Sequence, residues 1–220
     1  FTFYGEDYDE ISVNANGWIS FGHSNMESFR NYQIPGAGGP SPMVAAFWDD
    51  LKTSSSSKVL KYIGQDYVVI EWLNMKTYQH NDNQTFEIIL YDIMTPTGDD
   101  EIKIQYKEFN NTTNGDYTQY TPYHGCYSTI GIEAPGQDYG LMYQFRNELF
   151  EGNDQIQNEM AIKFIPSHSM GVDDIISTPQ SIFLHNAYPN PFNPSVNIHF
   201  IVNRLNYIEI NIYNLNGEKI

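Results

Sequence analysis

The feature that most constrains this chain is an alternation of apolar and polar residues with a period of two, recurring along residues 1–165, while helical 3.6-residue periodicity is almost absent. Ile102, Ile104 and Tyr106 interleave with Glu101, Lys103, Gln105 and Lys107, which predicts a strand with one apolar and one wet face. Phe86, Ile88 and Leu90 alternate in the same way with Thr85, Glu87, Ile89 and Tyr91. Ile11-Ser12-Val13 and Trp18-Ile19-Ser20-Phe21 flank Asn14-Ala15-Asn16-Gly17. Both Asn16 and Gly17 tolerate positive φ, so a tight hairpin is expected there. Val59–Ile63 and Tyr67–Leu73 flank Gly64-Gln65-Asp66 and read as a second hairpin. Further short strands are expected at Ser128–Glu133, Leu141–Phe145 and Ala161–Ile165. Short strands at this spacing predict an all-β fold, a β-sandwich as the main domain. The 17 Tyr and 13 Phe residues agree, because flat side chains pack well on a pleated surface.

Between the strands lie polar loops at Ser24–Pro42, Ser54–Ser57, Gln79–Gln84, Thr95–Asp100 and Asn110–His124. The last is long and is accompanied by Tyr117, Tyr120, Tyr123 and Tyr127. Long loops on a rigid sheet framework are where binding surfaces commonly sit. From Pro166 to Gln180 the alternation stops, and a linker is expected over 166–183. Beyond it, the prolines of Tyr188-Pro189-Asn190-Pro191-Phe192-Asn193-Pro194 impose an extended chain. Alternation resumes at Val196, Ile198, Phe200 and Val202 and again at Ile208, Ile210 and Ile212, which predicts part of a second, small β-sandwich over 184–220. Two or three strands cannot form a stable domain alone. Phe1-Thr2-Phe3-Tyr4 carries no basic region or cleavage site and reads as the interior of a strand, so the natural start is expected upstream.

Charge and chemistry narrow the function. The chain holds 27 acidic against 11 basic residues, a net charge of −16, which repels a phosphate backbone and argues against nucleic acid as a partner. No run approaches the ~20 apolar residues of a membrane span. Cys126 is the single cysteine, so no intrachain disulfide forms. His124 and Cys126, two apart, could share a strand face as base and nucleophile. Nothing orients that histidine, and a structural thiol is the preferred reading. The six histidines show no metal-ligand spacing, and neither a nucleophile elbow nor a phosphate-binding glycine loop is present. No catalytic residue is therefore assigned, and the chain is expected not to be an enzyme. Acidic clusters occur at Glu6–Glu10, Asp49-Asp50 and Asp99-Asp100-Glu101. Calcium takes six to eight oxygen ligands, so Asp49, Asp50, Asp99 and Asp100 are its candidate residues. None follows the spaced pattern of a calcium loop, and solvated turns or strand caps are the preferred reading, with no cofactor assigned and calcium as the alternative.

Two stretches carry family resemblances. Leu184–Ser195, with its Tyr-Pro-Asn-Pro-Phe-Asn-Pro run, and Ile208–Lys219, with Ile212-Tyr213-Asn214-Leu215-Asn216-Gly217, closely resemble the type A C-terminal sorting domain of the type IX (Por) secretion system. Tyr188, Pro189, Asn190, Pro191, Phe192, Asn193, Pro194, Tyr213, Asn214 and Gly217 are the residues that carry the motif. The resemblance covers about half of such a domain. It implies type IX machinery as a partner and an address outside the cell or on the outer surface of a Gram-negative bacterium. The front portion resembles nidogen-like modules, through Phe3-Tyr4-Gly5, Tyr8, Asn16–Gly22, Ala46–Leu51, Val69–Trp72 and Gly131–Glu133. That implies a non-catalytic structural or adhesive module; a glycan or an extracellular protein is the expected ligand. Two alternatives stand beside it. One is the accessory tail of a secreted, gingipain-like peptidase whose catalytic domain lies upstream. The other is a fibre subunit that self-associates through open strand edges.

Overall fold

The structure is a computed structural model that describes residues 1–36, 38–78, 80–93, 95–112, 127–146, 148–150, 152–166, 183–184, 200–201 and 219. The chain divides into two compact units, Phe1–Ser167 and His168–Ile220. In the first, the strands in chain order are β1 (Thr2–Phe3), β2 (Glu6–Asp7), β3 (Ile11–Asn14), β4 (Trp18–Phe21), β5 (Met43–Trp48), β6 (Leu51–Lys52) and β7 (Lys58–Ile63). They continue with β8 (Tyr67–Thr77), β9 (Asn83–Tyr91), β10 (Glu101–Glu108), β11 (Thr129–Glu133), β12 (Gly140–Phe145), β13 (Glu148–Leu149) and β14 (Met160–Phe164). In the second unit β15 (Phe183–Leu184) pairs antiparallel with β16 (Phe200–Ile201). The fold is all-β, as the alternation predicts.

Two six-stranded antiparallel sheets make up the body. The first runs β14-β10-β9-β8, with β6 and β7 both pairing to β8; the second runs β13-β12-β11-β5-β4-β3. β1 and β2 form a separate small hairpin. The core lies between the sheets. Ile70, Trp72, Phe86, Ile88, Ile104 and Tyr106 come from the first sheet, and Ile19, Val44, Ala46, Phe47, Ile130 and Ile132 from the second. Two buried polar tips bridge the layers. Tyr106 Oη donates to the Ala46 carbonyl at 2.7 Å and Trp72 Nε1 to the Asn14 carbonyl at 2.9 Å, so neither donor is stranded in the apolar interior. Burial drives the Tyr106 phenol well above its ordinary pKa, which keeps it neutral.

Three local departures from strict alternation have visible causes. The Asn14↔Trp18 register leaves a three-residue loop, Ala15-Asn16-Gly17, in which only Gly17 takes positive φ, 81°. The expected tight hairpin forms, with Asn16 outside the positive-φ region and its amide oxygen accepting the Leu51 N–H at 3.0 Å. Gly17 is required by close approach: a Cβ there would lie 1.9 Å from the Phe47 carbonyl oxygen. That proximity arises because Ala46 N–H and Phe47 N–H both donate to the Gly17 carbonyl, both at 3.0 Å. β5 bulges at this point and turns Ala46 and Phe47 together into the core. In β8 the register shifts between Trp72 and Met75, around Asn74 at φ 50°, so residues three apart both face inward.

β5 has no alternation, because all six of its residues are buried. Its outward-facing Met43, Ala45 and Trp48 form a second apolar cluster with Trp18 and Ile34. The segment after β4, between Gly22 and Pro42, lies across this outer face. Trp18 Nε1 and Trp48 Nε1 both donate to the Ser28 carbonyl, at 3.0 and 3.2 Å. The buried Asn31 amide donates to the Tyr127 carbonyl and, at 3.1 Å, to Thr129 Oγ1. A stretch expected to be a polar loop is thus a strap that seals one face of the sandwich.

Candidate functional site

The acidic residues singled out in the sequence fall at separate places. Asp49 is buried at the end of β5, and its Oδ1 accepts the Asp50 N–H at 2.8 Å, a local turn-forming bond. Asp100 Oδ2 accepts the Thr2 N–H at 2.7 Å and Oδ1 the Ile93 N–H at 3.0 Å. Asp99 Oδ1 accepts the Gly5 N–H at 2.6 Å. The pair therefore fastens the β1–β2 hairpin to the turn between β9 and β10. Asp50 O accepts from Tyr78 N–H, just before β9, whereas Asp100 meets Ile93, just after it. Strand β9 of nine residues lies between, about 30 Å of chain, so the two acidic pairs do not converge. Among the described residues no three His, Cys, Asp or Glu side chains come together as a metal-holding group. His124, Cys126, Tyr117, Tyr120 and Tyr123 lie outside the described residues, as do the sorting-motif residues from Tyr188 to Pro194 and Tyr213, Asn214 and Gly217.

Among the described residues no strap crosses the outer face of the first sheet. Register places Tyr62, Val69, Ile89, Lys103 and Lys163 in one row across it, with Tyr67, Tyr91 and Glu101 in the next. The Tyr62 and Tyr67 rings stand 5.9 Å apart by centroid, and Tyr67 and Tyr91 stand 6.3 Å apart. Lys103 Nζ lies 5.7 Å from the Tyr91 centroid, and Lys163 pairs with Glu101. Tyr62 is 60% exposed. The Tyr67 hydroxyl is pushed above its ordinary pKa, first by the neighbouring Tyr62. This is a row of mutually tilted aromatic rings edged by charge, suited to stacking and hydrogen bonding rather than to bond-breaking. No motif marks it in the sequence. The readable signal is large tyrosines at the outward positions of alternating strands.

A second concavity opens at the margin of the sandwich where β3 and β7 end their sheets. It is a cleft of about 610 Å³, lined by Ile11, Val13, Lys61, Ile63, Tyr8 and Tyr67 among others. At one end stand Asp9, Glu10 and Asp92.

Comparison with known families then decides the kinship of the whole. The family described as NIDO related matches residues 1–168, most of the chain. The chain belongs to the NIDO-related family. The match ends close to the boundary of the first compact unit, so the two-sheet sandwich is the NIDO-related module. The secretion system C-terminal sorting domain matches residues 186–220, and with it the protein is a type IX secreted protein, extracellular or on the cell surface, that engages that machinery. Neither matched domain is a catalytic one. No curated protein matches the chain, and no solved structure does. Among the described residues no helix is long and apolar enough to cross a membrane. The quoted motif residues of the NIDO-related module are mostly framework. Gly17 meets β5, Trp18 and Trp48 hold the strap, and Phe47 and Leu51 enter the core.

Proposed function

We propose that this protein is a non-catalytic structural or adhesive module working outside a Gram-negative cell, with the bare face of the first sheet as its contact surface. The observation that carries the reading is the contrast between faces: one is sealed by a strap, while the other displays Tyr62, Tyr67 and Tyr91 in ring contact. Tyrosines of this kind offer apolar rings and hydroxyls together at small entropic cost, which suits a glycan or an extracellular protein as ligand. No calcium is needed in this account, because Asp49, Asp99 and Asp100 direct carboxylate oxygens at backbone N–H groups. A chelator is expected to leave the melting temperature unchanged.

The test is an array of glycans and matrix proteins probed with the native chain and with Tyr62→Ala and Tyr91→Ala. Binding by the native protein, lost in both variants at unaltered melting temperature, supports the proposal. Failure of the native chain to bind any ligand, or full binding by both variants, overturns it.

A further inference from the structure

The margin between β3 and β7 has an unusual geometry: two strand edges without a partner strand among the described residues line one gap. The Gly22 N–H bonds the Glu10 carbonyl at 2.8 Å, which sets the pairing phase of β3 and β4. Ser12 and Asn14 then bond inward to β4, and Ile11 and Val13 turn their N–H and C=O groups to the open edge. On the opposite sheet the Gly64 N–H bonds the Tyr67 carbonyl at 2.8 Å, so Lys61 and Ile63 turn theirs away from β8. The side chains of these residues point between the sheets. Ile11 and Val13 pair with the core residues Phe21 and Ile19, and Lys61 and Ile63 pair with Ile70 and Val68. Yet Val13 is 41% and Ile63 64% exposed. The sandwich is open here, with a hollow of about 610 Å³ between the two edges.

The charge of the gap is uneven. Asp9, Glu10 and Asp92 gather at one end with the rings of Tyr8 and Tyr67, while Lys61 is the one lysine or arginine among the lining residues. None of the three carboxylates forms an ion pair among the described residues. Tyr8 Oη donates to Glu6 at 2.8 Å, and burial with that bond pushes its phenol up to about 12, so the ring stays neutral. Carboxylates beside neutral aromatic faces favour a lysine or arginine side chain.

We propose that this cleft receives an extended segment of another polypeptide, which adds a strand to β3 and places a lysine or arginine among Asp9, Glu10 and Asp92. Its alternate apolar side chains cover Val13 and Ile63, surface that a free edge leaves wet. A second copy of this chain is the poorer occupant, because its net charge of −16 meets the same acidic end. The inference rests on the reading of the protein as a binding module, but it uses a different surface from the tyrosine face.

The test uses the full chain and a fluorescent octapeptide of alternating valine and threonine with one arginine near its end, followed by anisotropy. A twin peptide carries glutamate in place of the arginine. The arginine peptide is expected to bind about tenfold more tightly at low salt, with the margin shrinking as salt rises. Val13→Pro removes the open-edge N–H at a position where proline is tolerated, and is expected to weaken binding at least about tenfold. Asp9→Asn with Glu10→Gln keeps the edge intact and should erase the arginine preference alone. Equal affinity for the two peptides, or unchanged binding by Val13→Pro, overturns the proposal. So does a concentration-dependent dimer of the native chain that Val13→Pro abolishes, since a second copy would then be the occupant. If Val13→Pro binds the octapeptide as the native chain does while Tyr91→Ala loses the array ligands, the adhesive reading survives and the cleft falls.

Discussion

The two sheets of this sandwich have six strands each and share one core, but their outer faces have opposite characters. The face of β4, β5 and β11 lies under the strap, where Trp18, Ile34, Met43 and Trp48 are all but inaccessible. The face of β7, β8, β9 and β10 is open, with tyrosines, lysines and glutamates in register-defined rows. Burial on both sides makes the first region a source of stability. Exposure of aromatic side chains makes the second a source of contacts. The same period-two backbone supports both roles, and what differs is whether a later segment crosses the face.

The sharpest way to break this contrast is Trp48→Ala. Removing a fully buried indole from the second cluster, with its bond to the Ser28 carbonyl, is expected to cost about 3–5 kcal/mol in urea unfolding. A cost no greater than that of a surface substitution would mean the strap contributes little. Asn31→Ala acts on the same strap and removes the amide donations to the Tyr127 carbonyl and to Thr129 Oγ1. A loss of about 1–3 kcal/mol is expected, read as a lower urea midpoint.

Glu133 sharpens the comparison through pH. It is buried on β11, where burial raises its pKa and the Gly36 N–H, 2.9 Å from Oε1, opposes that rise. The folded state therefore favours the protonated acid. That contribution is present below the ordinary carboxyl pKa and is lost as pH rises through the raised value, so at neutral pH the charge is a burden. Glu133→Gln keeps the acceptor for Gly36 and removes the charge. A higher melting temperature than native is expected at pH 7, with the difference shrinking towards pH 4. A difference that does not vary with pH would place the effect elsewhere. The smallest effect belongs to the open face: Tyr62→Ala is expected to change stability by no more than about 0.5 kcal/mol.

The strands with one wet face were legible before any coordinates. Ile102, Ile104 and Tyr106 turn inward as their spacing predicts, and the hairpins around Gly17 and Gly64 form where turn residues stand. β5 was not legible as a strand, because a segment buried on both faces has no alternation to read. The bulges at Ala46-Phe47 and near Asn74 were hidden for a related reason: each breaks the period to bring two apolar side chains to the same side. The strap read as a polar loop, since its few buried residues, Asn31 and Ile34, are scattered among exposed ones. Of the candidate residues, Asp99 and Asp100 were visible as a cluster, but their carboxylates answer to Thr2 and Gly5 nearly a hundred residues away.

By itself the sequence determined the all-β class, the inward and outward positions of the alternating strands and the family motifs at either end. Each of these is local, written in neighbouring residues whose spacing follows backbone geometry. Only the tertiary structure decided which sheet face is sealed, which tyrosines meet and where two strand edges leave a gap. Those outcomes depend on the meeting of residues far apart in the chain, Ser28 with Trp48, and Val13 with Ile63 in the lining of one cleft, and local periodicity carries no information about them.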